Sequence, residues 1–172
     1  TWEKNIADPA VRMAEEAVEN AAARELARWR TRDVLETLLS FALPNPRTGV
    51  IEALGQFACS EAIPYFLHAL EDDVCQAAAE NALRTLGRRA ELALAGAART
   101  ALPSDDEERP SSVRRRTKAL ELLAELGASG ETWPILKPLL ADVDPGIAAA
   151  ISRIAAMLGD RQDKVTAVDR LL

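Results

Sequence analysis

Aromatic residues make up 4% of this 172-residue chain, and it has one histidine and two cysteines. A metal or nucleophile site needs clustered ligands, so one imidazole, His68, argues against both. Cys59 and Cys75 lack C-x-x-C spacing, which fits reduced thiols rather than a disulfide framework. No apolar run approaches the roughly 18 to 20 residues that span a bilayer, and no signal peptide opens the chain. A cytoplasmic protein is the expectation. Val/Ile/Thr alternation between hairpin turns is missing too, which leaves no signal for strands. A Gly-rich phosphate loop, a G-x-S-x-G elbow and paired carboxylates on adjacent strands are all lacking. The expectation is therefore no enzyme, no metal and no cofactor. Net charge is −6, which repels polyanions and argues against nucleic acid as a partner. Thr1 stands where a Met would start a full chain, and Leu172 falls inside an apolar-periodic segment, so a longer parent chain is expected.

What the sequence does have is helical period. Ile63, Phe66, Leu67 and Leu70 fall at i, i+3, i+4 and i+7, one face of a helix. Pro64 sits in its first turn, where a missing N–H costs nothing. Upstream, Val50, Ile51, Ala53, Leu54 and Phe57 form a second stripe, and residues 58–61 are short enough only for a corner between antiparallel helices. Copies follow at 74–87, 113–127 and 147–159, each an Ala/Leu-rich helix ending at Leu-Gly. Gly adopts the left-handed helix-ending conformation at least cost. Ala58 takes the equivalent place in the first copy. The repeat marks are 58, 87, 127 and 159, and the long middle interval maps onto an insertion at 103–112.

Along the chain, Asp8 and Pro9 start a long helix whose stripe is Val11, Ala14, Val18, Ala22, Leu26 and Trp29. Its periodicity reads as packing, Trp29 included. Thr31 is placed to cap a helix burying Val34, Leu35, Leu38, Leu39 and Ala42, which Pro44 and Pro46 stop. Asp72 and Asp73 cap the next repeat helix, and Cys75 sits in its first turn, where a thiol pKa can in principle be lowered, but no His or second Cys accompanies it to make it reactive. Gly96 weakens its helix and is read as a site of close approach. The insertion, PSDDEERPSS, carries four consecutive acids between prolines and is expected to be a solvated, mobile loop. Ser112 is expected to cap the following helix. The basic start of that helix, Arg114, Arg115, Arg116 and Lys118, neutralises the acids. Trp133-Pro134 and Asp144-Pro145 open two further helices, with Leu136, Leu139 and Leu140 inward in one and Ile147, Ile151, Ile154 and Leu158 in the other. A final helix has Val165, Val168, Leu171 and Leu172 as its apolar side, either a cap or a truncated edge. His68 shares a face with Tyr65 and Asp72 and is expected to point to solvent.

The residues Ala53-Leu54-Gly55, Glu61-Ala62-Ile63-Pro64, His68-Ala69-Leu70-Glu71-Asp72, and Val74 with Ala77-Ala78-Ala79-Glu80 carry a resemblance. Weaker echoes lie at 133–142 and at Asp144-Pro145-Gly146-Ile147. The chain resembles HEAT-like repeat proteins of the short-repeat kind first described in phycobilin lyases. That implies an all-α fold, a right-handed α-α superhelix (solenoid) of stacked antiparallel helix pairs. The expected organisation is one domain over 1–172, with capping helices at 1–46 and repeats at 47–172. In this family the second helix of each pair lines the concave side. The resemblance then points to Gln76, Glu80 and Arg84, and with them Glu52, Gln56, Lys118, Glu121 and Arg153, as a partner-binding ridge. HEAT-repeat hydroxylases bind iron through repeated His-Glu pairs, whereas Ala69 follows His68 here. HEAT-like DNA glycosylases use a basic concave surface, whereas this ridge is of mixed sign. The expected function is a non-catalytic protein-protein interaction scaffold or adaptor. The alternative is an accessory enzyme of phycobilin lyase or DNA-repair glycosylase type that holds a small molecule or base in the groove.

Overall fold

The corners expected between the repeat helices are made by left-handed residues. Ala58, Gly87 and Gly127 have φ of 48°, 58° and 79°; Ala58 and Gly127 take the left-handed helical conformation that ends a helix and bonds its last carbonyls, while Gly87 pairs its positive φ with ψ −132°. The fourth mark differs. Gly159 is extended, with φ −68° and ψ 149°. A Cβ there would stand 2.6 Å from the Ala155 carbonyl oxygen and 2.9 Å from the Asp163 side chain, so glycine is needed at that corner for room rather than for handedness.

The computed structural model describes residues 9–42, 46–104 and 107–171. Among them the chain forms α1 (Pro9–Leu26), α2 (Arg32–Phe41), α3 (Thr48–Phe57), α4 (Ile63–Ala69) and α5 (Gln76–Leu86). It continues with α6 (Glu91–Arg99), α7 (Pro110–Leu126), α8 (Trp133–Leu136), α9 (Pro145–Leu158) and α10 (Arg161–Asp169). Helix α8 runs on as a 3-10 turn, Lys137–Ala141. Short polar caps start several of these helices. Thr31 accepts a hydrogen bond from the Val34 amide, Asp144 from Ile147, and Asp160 from Asp163, each satisfying a first-turn donor.

The helices sort into two layers. α1, α3, α5, α7 and α9 pack one on the next in that order, while α4, α6 and α8 follow one another on the other side and α10 closes the array beside α9. This is an all-α repeat array. Its core lies between the layers, where Ile51, Leu54, Phe66, Leu70, Leu83 and Leu120 have no accessible surface. Each such side chain stabilises the fold by about 1.5–3 kcal/mol through burial. Close approach is achieved with small residues. A Cβ at Gly49 would sit 2.4 Å from the Asn20 backbone oxygen, so only glycine permits the crossing of α1 and α3.

Polar staples tie one repeat to the next. The Glu91 carboxylate in α6 accepts from the Ser129 amide at 2.6 Å and from the Thr132 hydroxyl at 2.9 Å. The Trp133 indole donates to Asp163 at 3.2 Å. Tyr65 was expected beside His68 on the solvent side, but it is buried, and its hydroxyl accepts from the Arg47 amide at 2.9 Å. His68 is exposed. The buried face of α4 extends past Ile63, Phe66 and Leu70 to take in Tyr65, whose polar tip is satisfied there.

Several expectations need correction. The α1 stripe faces solvent: Val11, Val18 and Trp29 are 48%, 69% and 74% exposed. Asn20, Ala23 and the acids Glu16 and Glu19 make the contacts of α1 to the following segment instead, through Gly49 and Arg47. Gly96 has open space around its Cβ position and mediates no close approach. Cys75 is buried, and desolvation pushes its thiol pKa up rather than down, since the thiolate loses its hydration there. Asp8, Pro44 and Leu172 lie outside the described residues.

The described residues of the insertion are tied to the array, where its composition suggests a solvated loop. Pro103–Ser104 (β1) and Glu107–Glu108 (β2) pair antiparallel, the sole β structure among the described residues. Arg109, not Ser112, precedes the first turn of α7. Ser112 is buried one turn inside, donating to Glu108 and accepting from the Leu102 amide. Arg116 is 4% exposed and bonds Glu108, Asp142 and the Ala98 carbonyl. The expected neutralisation of acidic insertion by basic helix start is therefore a specific clasp, in which one guanidinium holds the β2 strand, the end of α6 and the turn before α9.

Candidate functional site

The eight ridge residues fall on the odd-numbered layer: Glu52 and Gln56 on α3, Gln76, Glu80 and Arg84 on α5, Lys118 and Glu121 on α7, and Arg153 on α9. The structure gathers most of them. Glu80, Arg84, Lys118, Glu121 and Arg153 line one open groove, joined by Glu125, Leu122 and Ala124. Gln76 stands behind it and donates to Glu80 at 2.8 Å. Glu52 and Gln56 are exposed one step away on α3, where Glu52 pairs with Arg24 of α1 instead.

Glu125 escaped the sequence reading, although the spacing Lys118, Glu121, Glu125 marks one helix face. Arg84 bridges the two helices, bonding Glu125 at 2.9 Å and Glu80 at 3.0 Å. Lys118 bonds Glu121 at 2.8 Å and lies 3.9 Å from Glu80. The Glu125 hydrogen bond raises the Arg84 pKa, and the Glu121 hydrogen bond raises that of Lys118, so both cations stay charged at any physiological pH. Arg153 is exposed and has no ion pair among the described residues.

Three carboxylates and three cations line the groove, at roughly 520 Å3. Pockets for small organic ligands are predominantly apolar with a few convergent polar groups. This lining is the opposite, a lattice of ion pairs over a small apolar floor of Leu122 and Ala124. Such a surface suits the side chains of another polypeptide better than an apolar chromophore. Among the described residues, no group of three or more His, Cys, Asp and Glu is placed to hold a metal ion. None of their helices is long and apolar enough to cross a membrane.

A family model described as HEAT repeats matches residues 9–84. Over that stretch the chain is a HEAT-like repeat protein. The matched stretch opens at α1 and closes at Arg84, and the same helix-on-helix packing runs on through α7 and α9. The match is to HEAT repeats in general and does not single out the phycobilin lyase kind. No match was found to a curated protein or to a solved structure. HEAT repeats are commonly protein-interaction scaffolds and typically non-catalytic.

Proposed function

We propose that this HEAT array is a non-catalytic scaffold that binds another protein in the groove between α5, α7 and α9. The carrying observation is the lining of that groove: paired charges of both signs held in place by one another, with Arg153 left unpaired at its edge. Preset ion pairs cost little ordering on binding and select a partner by charge pattern, which gives specificity more than raw affinity. The partner supplies a segment of mixed charge that places an acidic side chain on Arg153. The unpaired thiols Cys59 and Cys75 support a reducing, cytoplasmic setting for this role.

The test is capture of partners on the immobilised chain, identification by mass spectrometry, and titration of the purified partner against variants. Arg153→Glu, at an exposed position, should leave helix content unchanged, since exposed charge changes usually cost under about 0.5 kcal/mol, and the joint reversal of the half-buried Lys118 and Glu121 keeps their ion pair with its signs exchanged. Both should weaken the partner at least tenfold. A partner indifferent to both variants but lost on His68→Glu in α4 would move the binding surface to the other layer.

A further inference from the structure

Among the described residues, two apolar faces are left uncovered, one on α1 and one on α9 and α10. On α1, Val11, Ala14 and Val18 form an open stripe, and on α10 Val165 and Val168 do the same beside the exposed Ala149 and Ala156 of α9. Within the array, α3, α5, α7 and α9 each pack against the odd-numbered helix before them. The rims of the two faces differ in charge. Glu15 and Glu19 border the α1 stripe, Glu19 remaining half exposed while it pairs with Arg47 at 2.7 Å. Arg161, Lys164 and Arg153 border the other face, with Asp169 its one acid. None of those three cations makes an ion pair among the described residues, although the array pairs most of its others.

We propose that the α1 face of one copy docks on the α9–α10 face of a second copy, head to tail, so that the array continues from chain to chain. Charge complementarity names the occupant: an acidic-rimmed apolar stripe meets a basic-rimmed one, and the same chain carries both. The lengths agree. With 18 and 14 residues, α1 and α9 span about 27 Å and 21 Å at 1.5 Å per residue, so the two run alongside each other. Ala149 and Ala156 on α9 leave room for the valines of α1, as small residues do at Gly49 inside the array. The contact uses two different patches, so it is heterologous and grows without closing unless its rotation happens to form a ring.

Sedimentation velocity of the full chain over a range of concentrations tests this. The expected result is a weight-average mass that climbs past two copies as concentration rises and climbs less at high salt, where the charge term is screened. Val18→Asp spoils only the α1 face and Val168→Asp only the α10 face. Each variant alone should stay monomeric, yet an equimolar mixture should form a one-to-one pair and stop there. Circular dichroism checks that both keep their helices. Lys164→Glu provides a second α10-face variant, whose lost binding Glu15→Lys on the other copy should restore. An unaltered chain that is monomeric at every concentration overturns the proposal. So does a Val168→Asp chain that still dimerises alone, because that would mean two α1 faces meeting each other.

Discussion

Helix α3, in the interior of the array, and helix α1, at its start, carry the same kind of apolar period with opposite outcomes. Val50, Ile51 and Leu54 are buried, whereas Val11 and Val18 are exposed. Nothing in the local pattern separates them. The difference is that α3 has α1 on one side and α5 on the other, while α1 has a described neighbour on one side only. In a repeat array each unit buries its apolar face against the next, so a unit with a described neighbour on one side only shows an open face among the described residues. The same holds for charge. Arg116 in the interior is enclosed by Glu108 and Asp142, and Arg161 on the last helix is exposed.

The largest effect expected from this contrast is at Arg116. Arg116→Ala strands two partly buried carboxylates and should cost about 3–5 kcal/mol, measured by chemical denaturation, with Arg161→Ala within about 0.5 kcal/mol of the unaltered chain. Equal losses at both positions would break the comparison.

Next comes the apolar pair. Leu83→Ala, at a position with no accessible surface, should cost about 2–5 kcal/mol, the range for emptying a packed leucine site. Val18→Ala should shift the midpoint by under about 0.5 kcal/mol when the chain is dilute and monomeric. A large loss at Val18 under those conditions would mean that α1 is packed after all.

Acid stability sharpens the comparison between the middle and the last step. Hydrogen bonds from Ser129 and Thr132 hold the Glu91 carboxyl below the usual glutamate range, and the Lys137 hydrogen bond holds Asp163 below the usual aspartate range. A carboxylate depressed in the folded state contributes stability that is whole above its unfolded pKa and is lost as pH falls through its folded pKa. Thermal melts should therefore be flat near neutrality and fall in acid. Glu91→Gln and Asp163→Asn should each flatten the acid limb, and only Asp163→Asn should shift the fluorescence of Trp133, its hydrogen-bond partner. An unchanged acid limb in both variants would remove these staples from the account.

The smallest effect is expected at Trp29. Trp29→Ser replaces an exposed indole and should leave the denaturation midpoint within about 0.5 kcal/mol. A clear loss would show that periodicity had correctly assigned it to packing.

Most helices, corners and caps were legible in the residues, because each is settled within a few positions, with the Ser112 cap and the Gly159 corner as exceptions. The left-handed Ala58, the Thr31 and Asp144 caps and the Pro145 start follow from local backbone sterics and nearby donors. Most of the groove was legible too, since Glu80, Arg84, Lys118, Glu121 and Arg153 lie off their helices' apolar stripes. What helical period leaves open is which stripe finds a neighbour. Tertiary packing decided that the stripe of α1 stays in solvent, that Tyr65 turns inward and that the acidic insertion is clasped. The partners of Arg116 lie 8, 18 and 26 residues away. Contacts at that separation depend on where whole helices are stacked, and no local preference of the chain specifies them.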